Sequence, residues 1–375
     1  MRPTLLHIVP SNLWSGRERY ALDICRHFDA AGWDVSVMTR DARVVDTPFE
    51  ECGIRVMHTP FHGIVDRESV KRIARVMRDI PRGATAVVHT HRYRDALRAV
   101  LARHLAKRPE IRIVNTRHSV RPATANCLAR RLYRAIDAHI FVSRRAAEEF
   151  LSPRCHGEPV VSRSNVHILH DSLLDAPATI TPMPERGAVT TMFHGPLRPG
   201  KGLETLIDAM GLVKDRKIKL RLRIMGNGSP DYIDALRLLA LRRGVMDMID
   251  WRRADAWPLP MIGTVHFGVM PSVVTEAFGL PAAEYMAMGR PVICTATGAQ
   301  PEYLSDGDSA LFVPPGDARA LAGALCQLAR DSALRTDMGE AAFSAFHRIL
   351  PWEAFARRLE TIYTGKPLPE TLQKG

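Results

Sequence analysis

Short apolar runs alternate with amphipathic stretches along almost the whole chain, the pattern of parallel strands covered on both faces by helices. Thr4–Val9 is a predicted strand, followed by a polar loop through Ser11, Ser15 and Gly16. Arg17–Ala31 has helical periodicity, Gly32 stops it, and Asp34–Met38 is the next strand. Further strands are predicted at Ala86–His89, Ile111–Asn115 and His139–Val142. The rhythm breaks over residues 173–188, where Pro177, Pro182 and Pro184 sit among Ala and Thr as a linker would. A second series follows, with strands at Val189–Phe193, Leu220–Met225, Val265–Met270, Pro291–Cys294 and Leu311–Val313. Its helices include Leu203–Val213, Tyr232–Arg242, Ala318–Arg330 and Arg335–Phe346, and a last one is predicted at Trp352–Tyr363. The expected fold class is therefore α/β, with two doubly wound parallel-sheet domains of Rossmann type. The expected boundaries are 1–172, a linker at 173–188, 189–350, and a C-terminal segment 351–375 that returns to the first domain. Two such domains leave a cleft at the C-terminal ends of the strands, where ligands bind.

Composition changes this picture little. The chain of 375 residues is long enough for two cores, and 46% apolar with 25% charged residues is ordinary for a globular protein. The six cysteines are scattered without the spacing of a zinc or redox motif, which fits a reducing compartment. Met1–Pro10 has no signal-peptide pattern and no run is long enough to span a bilayer, so a cytoplasmic location is expected.

Charge distribution adds more. The net charge is +12, and residues 1–172 carry 29 Lys and Arg against 18 Asp and Glu, a balance of +11. Between Arg92 and Arg134, 12 basic side chains meet only Asp95 and Glu110. Such a field attracts an anionic partner, among them a phosphorylated acceptor or the inner face of a membrane; a solvated Arg-rich surface is the plainer account. Nucleic acid is not expected, because only Tyr93 and Tyr133 interrupt the charges and no recognition module is present.

The richest chemistry lies in Pro271–Pro291. A strand ends at Met270, a loop follows, and Pro281 marks the first turn of a short helix that Gly289 and Pro291 terminate. The helix start offers free N–H groups and the positive end of a dipole, and Gly279 lets a ligand approach the backbone, so the segment suits a phosphate. Glu276 and Glu284 flank it; carboxylates are poor partners for phosphate but good acceptors for sugar hydroxyls.

This spacing, Glu276 and Glu284 with Phe278-Gly279 between them, resembles the family 4 retaining glycosyltransferases of the GT-B fold, and the resemblance covers essentially the whole chain. It implies that Glu276 contacts the transferred sugar, that Glu284 binds the nucleotide ribose, and that Phe278, Gly279 and Leu280 lie along the diphosphate. His194-Gly195-Pro196-Leu197-Arg198-Pro199-Gly200-Lys201-Gly202 is similar to the segment that opens the second domain, where an Arg and a Lys clamp the diphosphate. Lys201 matches the lysine; Pro196 stands where the family has arginine, and Arg198 is the nearest substitute. Met225-Gly226-Asn227-Gly228 looks like the strand-end glycine turn, and Trp251-Arg252-Arg253 lies where the base is held. Gly298-Ala299-Gln300-Pro301-Glu302 is similar to a turn in which the family has a second glycine. In the first domain Ser15-Gly16-Arg17-Glu18 resembles the family's glycine-rich loop near donor and acceptor, with one glycine missing, which implies a donor contact at Gly16, and His118 occupies the strand end near the donor sugar. Trp352 opens the helix expected to brace the first domain.

The resemblance implies a retaining, metal-independent hexosyltransferase. It would use a UDP- or GDP-linked sugar as co-substrate and no further cofactor, with Glu276, His118 and Lys201 at the chemistry. A lipid-linked or phosphorylated glycan is the expected acceptor, as in assembly of cell-surface polysaccharide or lipopolysaccharide, with peripheral association at the membrane. Asp306-Gly307-Asp308 has the form of a metal-binding Asp-x-Asp but sits in a turn before a strand, and His89 and His91 face one side of a strand without a carboxylate, so no metal is assigned. Two alternatives stay open: a GT-B nucleotide-sugar epimerase, and a catalytically silent sugar-nucleotide-binding protein favoured by the departures at Ser15, Pro196 and Ala299.

Overall fold

The structure is a computed structural model that describes residues 1–63, 66–155, 157–185, 187–254 and 258–365. The chain divides into two compact units, Met1–Leu174 with the C-terminal segment from Trp352, and Asp175–Pro351. Residue 186 of the expected linker and residues 366–375 of the expected C-terminal segment lie outside the described residues.

The first unit is built on β1 (Thr4–Ile8), β2 (Asp34–Thr39), β3 (Arg55–His58), β4 (Ala86–Thr90), β5 (Arg112–Arg117), β6 (Ala138–Phe141) and β7 (Val166–Ile168). These form one parallel sheet in the order β3-β2-β1-β4-β5-β6-β7. Between them run α1 (Gly16–Ala30), α2 (Arg43–Glu51), α3 (Arg67–Asp79), α4 (Tyr93–Ala106), α5 (Cys127–Arg134) and α6 (Arg144–Leu151). Several helices begin where a short polar side chain satisfies an orphan amide: Asp66 accepts from Glu68 N–H at 3.0 Å, Asn126 from Ala129 at 2.8 Å, and Ser143 from Ala146 at 3.1 Å. β5 runs two residues beyond its predicted end because Thr116 and Arg117 pair with Ile140 and Phe141 of β6. That extension sets His118 immediately past the strand.

The second unit repeats the plan with β8 (Val189–His194), β9 (Leu220–Met225), β10 (Ile249–Arg252), β11 (Phe267–Met270), β12 (Val292–Thr295) and β13 (Ala310–Val313), all parallel, in the order β10-β9-β8-β11-β12-β13. Its helices are α7 (Leu203–Asp215), α8 (Pro230–Arg242), α9 (Pro258–Gly263), α10 (Leu280–Ala287), α11 (Ala318–Arg330) and α12 (Ser332–Ile349). β11 starts later than predicted because Val265 N–H closes the last turn of α9 on Ile262. Conversely α12 starts three residues early, since the Asp331 carboxylate caps Leu334 N–H at 2.9 Å.

The last helix, α13 (Trp352–Thr364), belongs to the first unit. Trp352, Phe355, Leu359, Ile362 and Tyr363 recur at helical spacing and complete the core that Leu5, Val35, Val37, Val87 and Val114 begin on one face of the sheet. Burying each such side chain is worth about 1.5–3 kcal/mol as an upper estimate. The opposite face is closed by α3 and α4 through Ile73, Met77, Ala99 and Ala102. Among the described residues no helix is long and apolar enough to cross a membrane.

From Asp175 onward the proline-rich segment is fastened to the second unit. The wholly buried Arg290 donates to five carbonyls, those of Thr181, Pro182, Gly263, Val265 and Met288, at 2.7–2.9 Å. Burial presses its guanidinium down to about 10, so it stays charged and holds all five donors. Arg290→Leu leaves these carbonyls unpaired and is expected to destabilise by roughly 3 kcal/mol or more, read as a lowered midpoint in urea denaturation.

Candidate functional site

In the second sheet the predicted residues gather at the C-terminal strand ends. Gly279 is the left-handed N-cap of α10, with φ +91°, and a β-carbon there would stand 3.0 Å from Met270 Cε and 3.1 Å from Tyr303 Oη. Among the described residues the amides of Gly279 and Leu280 donate to no backbone acceptor. Glu276 lies one turn of loop upstream. Its Oε1 accepts from Lys201 Nζ and from Ser272 Oγ, each at 2.5 Å. Lys201 is held there by backbone: a β-carbon on Gly202 would fall 1.9 Å from Pro271 O, and Val273 N–H donates to Gly200 O at 3.0 Å. The turn after β12 locks the loop from the other side, where a β-carbon on Gly298 would lie 1.9 Å from Glu276 O. Lys201 and Glu276, 75 residues apart, thus form a mostly buried ion pair beside the α10 amides.

Glu284, on the second turn of α10, is buried and hydrogen-bonded to His194. Tyr285 Oη donates to Met192 O at 2.5 Å and therefore accepts from His194 Nδ1, 2.8 Å away. The second proton site of His194, Nε2, stands 2.5 Å from Glu284 Oε2. Gly268 makes room for the arrangement, since a β-carbon there would meet the Tyr285 ring at 2.2 Å. Burial, and then the Glu284 charge, push the Tyr285 phenol up, so it remains a hydroxyl. The sequence named His194 only as the opening of a segment; its role comes from the register that ends β8 beside α10.

The other predicted residues divide. Gly195, Gly226 and Arg252 lie side by side at the ends of β8, β9 and β10: Gly195 N–H donates to Met225 O at 3.1 Å and Gly226 N–H to Arg252 O at 3.0 Å. The Arg252 side chain is exposed and paired with Asp250 at 2.8 Å. Arg198 is exposed and makes no ion pair among the described residues. Phe278 turns its ring onto Tyr303, with centroids 4.8 Å apart, so that its backbone alone joins the α10 entrance. A residue the sequence did not single out is Gln300. It is fully buried, its Oε1 accepts from Gly298 N–H at 3.0 Å, and its Nε2 has no partner; a β-carbon on Gly279 would lie 3.3 Å from that Nε2. Asp306-Gly307-Asp308 lies at the opposite, N-terminal edge of the sheet, where Asp306 accepts from Phe312 N–H at 2.8 Å.

In the first unit Gly16 opens α1 and His118 follows β5. The parallel register sets His7 beside His89, and strand alternation adds His91 to the same face. His118 Nε2 lies 3.2 Å from His91 Nδ1, and His91 Nε2 lies 3.1 Å from His7 Nδ1. His89 bonds the Tyr363 hydroxyl at 2.6 Å and the Thr116 hydroxyl at 2.7 Å, and Tyr20 stands edge-on to His118 at 4.9 Å. The ligand atoms of His7, His89 and His91 fall within 4.8 Å of one another, yet both nitrogens of His89 are already engaged by hydroxyls. Burial lowers His7 and His118 to about 3, aided at His118 by the Arg17 charge. Burial, then the neighbouring histidines, hold His89 and His91 well below the usual range. All four are therefore neutral near pH 7, so His118 offers hydrogen bonds rather than charge.

Part of the basic excess of this unit is internal. Arg98 pairs with buried Asp95 at 2.7 Å, Arg103 with Asp137 at 2.6 Å, and Arg108 donates to the carbonyls of Met77 and Ile80 at 2.7 Å. The histidine cluster carries a pH signature. A folded value of about 3 against about 6.5 unfolded means that the unfolded chain binds more protons between those limits, so stability falls as pH falls through the window. His7→Gln is expected to flatten the slope of unfolding free energy between pH 6 and pH 4 by about 1.4 kcal/mol per pH unit, measured by urea titrations across that range.

Known proteins match this chain in both units. Residues 15–165 match the model described as glycosyl transferase 4-like domain, and residues 188–331 the model described as glycosyl transferases group 1. D-inositol 3-phosphate glycosyltransferase of Corynebacterium aurimucosum is 28% identical, over 93% of this chain and 90% of that protein. Phosphatidyl-myo-inositol mannosyltransferase of Mycobacterium leprae is 27% identical, over 93% and 92%. Among solved structures, HepE of Anabaena in complex with UDP and glucose superposes with a TM-score of 0.80 at 14% identity, covering 97% of this chain and all of that one. A glycosyltransferase from Rickettsia africae gives 0.80 at 17% identity, over 97% and 98%. With two parallel-sheet units laid out in the GT-B order and both matched by models of the one family, the chain belongs to the group 1 glycosyltransferases.

Proposed function

We propose that the protein is a retaining, metal-independent hexosyltransferase that moves a sugar from a UDP- or GDP-linked donor to a phosphorylated or lipid-linked acceptor. The observation that carries this reading is the Lys201–Glu276 ion pair standing beside the open amides of α10. A departing nucleoside diphosphate needs positive charge where its own negative charge develops. Lys201 Nζ, the Gly279 and Leu280 amides and the unpartnered Gln300 amide supply it from the protein itself. Glu276 is placed to accept from hydroxyls of the transferred sugar while it orients Lys201, and Glu284, steadied by His194, to accept from the ribose. Neutral His118 serves as a hydrogen-bonding group toward the sugar. Retention follows from the family resemblance: the acceptor oxygen attacks the face the phosphate leaves, and that phosphate takes its proton. HepE, whose structure holds UDP and glucose, supports the donor class. The relatives named for D-inositol 3-phosphate and phosphatidyl-myo-inositol support a phosphorylated or lipid-linked acceptor, and with it work at the membrane surface in cell-surface glycan assembly.

A ligand that binds only the folded form raises stability by about 2.7 kcal/mol at a hundredfold excess over Kd. UDP, GDP and their hexose conjugates, with EDTA present, are expected to include one compound that raises the melting temperature of the wild type by several degrees. Glu284→Ala and Lys201→Ala should abolish that rise; a panel with no shift, or variants that keep it, overturns the donor site. With a working donor and acceptor, Lys201→Ala is expected to lower kcat by about 10²–10³-fold, the range seen on losing one preorganised charge-stabilising donor.

A further inference from the structure

Three histidines of the first unit form a series that ends at His118. His7 lies on β1, His91 just past β4 and His118 just past β5, so three strands bring one imidazole each to the same region of the sheet. His91 Nε2 lies 3.1 Å from His7 Nδ1, and His91 Nδ1 lies 3.2 Å from His118 Nε2. Packing holds the rings in these poses. His7 and His91 stack with 18° between their planes, and Tyr20 stands edge-on to His91 and His118 at 5.8 and 4.9 Å. His89, whose two nitrogens bond the hydroxyls of Tyr363 and Thr116, stays outside the series. The far nitrogen of His7, Nε2, is buried and has no partner. At the other end His118 is partly exposed, and its Nδ1 makes no hydrogen bond among the described residues.

Counting protons limits what this series can be. A neutral imidazole carries one N–H and one lone pair, on different nitrogens. Each of the two contacts needs an N–H facing a lone pair. Two lone pairs or two N–H groups set face to face would lose the bond and bury unmet polar atoms. With three neutral rings only two arrangements satisfy both contacts: every ring protonated at Nδ1, or every ring protonated at Nε2. The tautomer of His118 is therefore tied to that of His7 through His91. The two arrangements differ at the ends. Protonation at Nε2 throughout would bury an N–H of His7 that meets no acceptor, and an orphaned N–H is the rarest unpaired polar group in protein interiors. Protonation at Nδ1 throughout leaves a bare lone pair there and brings the spare N–H to the partly exposed His118.

We infer that His7 and His91 are positioning residues for the transfer, fixing His118 as its Nδ1–H tautomer so that it donates a hydrogen bond to an oxygen of the transferred sugar. The sugar contact rests on the proposed function, in which His118 faces the sugar; the tie among the three rings does not. An N–H set in place before the sugar arrives needs no reorientation on binding, which is how preorganised donors gain their advantage over water.

The test is NMR near pH 7 on the full chain labelled with nitrogen-15 at histidine, where long-range proton–nitrogen correlations separate the two neutral tautomers. His7→Gln, His91→Gln and His118→Gln assign the three signals. In the wild type all three rings are expected to carry the proton on Nδ1. His7→Leu removes the donor at the head of the series and should return His118 to a mixture of tautomers, seen as a shift of both its ring nitrogens. His7→Asn, whose side-chain amide presents an N–H where Nδ1 stood, should restore the wild-type pattern. Calorimetric titration with UDP, GDP, UDP-glucose and GDP-mannose gives the second readout. His7→Leu is expected to weaken the conjugate that binds by about tenfold relative to its bare nucleotide, the size of one lost hydrogen bond, and His7→Asn to recover it. An Nε2 proton on His118 in the wild type, a His118 tautomer unmoved in His7→Leu, or an unchanged ratio of conjugate to nucleotide affinity overturns the positioning role. It leaves the donor site standing if UDP or GDP still binds. Tautomers that behave as expected while no nucleotide or conjugate binds sink the donor reading and the sugar contact with it, and leave the tie among the rings in place.

Discussion

A parallel strand hands the chain to the same edge of its sheet each time it is repeated, and the main sheet of each unit is parallel throughout. Every loop that leaves a strand's C-terminal end therefore emerges beside its neighbours, whatever the distance in sequence. Lys201 meets Glu276 for this reason, and His194 meets Glu284. The same constraint draws His91 and His118 to one end of the first sheet. The opposite edge receives the turns that only close the fold, such as Asp306-Gly307-Asp308.

Clustering polar groups at a half-buried edge costs solvation, and the two units meet that cost differently. In the second unit Glu276 is paired with Lys201 and Glu284 is hydrogen-bonded to His194, so that removing one partner strands the other. In the first unit the histidines discharge instead: burial keeps His7, His89, His91 and His118 neutral, and neutral imidazoles can bond one another in series. Glycine has a matching function at the crowded points. Gly202, Gly268 and Gly298 lie where any β-carbon would overlap a backbone carbonyl or a ring, and each overlap falls next to a member of the candidate site.

Much of the architecture was legible because it is local. The alternation of apolar runs and amphipathic stretches marked two α/β series, and Gly279, Pro281 and Gly289 marked the short helix and its ends. Strand and helix ends shifted by two or three residues where a partner outside the segment intervened, as with β6 beside Thr116 or the Asp331 cap on α12. The basic stretch from Arg92 to Arg134 was legible as charge but not as function, since charge counts do not distinguish Arg108, bound to carbonyls inside the fold, from Arg92 at its rim.

By itself, then, the sequence determined the order and kind of elements, the glutamate pair flanking a proline-started helix, and the family to which those residues point, because periodicity, caps and motif spacing act within a few residues. Tertiary structure alone decided that Lys201 pairs with Glu276, that His194 supports Glu284, and that four histidines share one neutral cluster. Each depends on which strands lie side by side and in what register, and sheet order is a property of the packed chain rather than of any one segment.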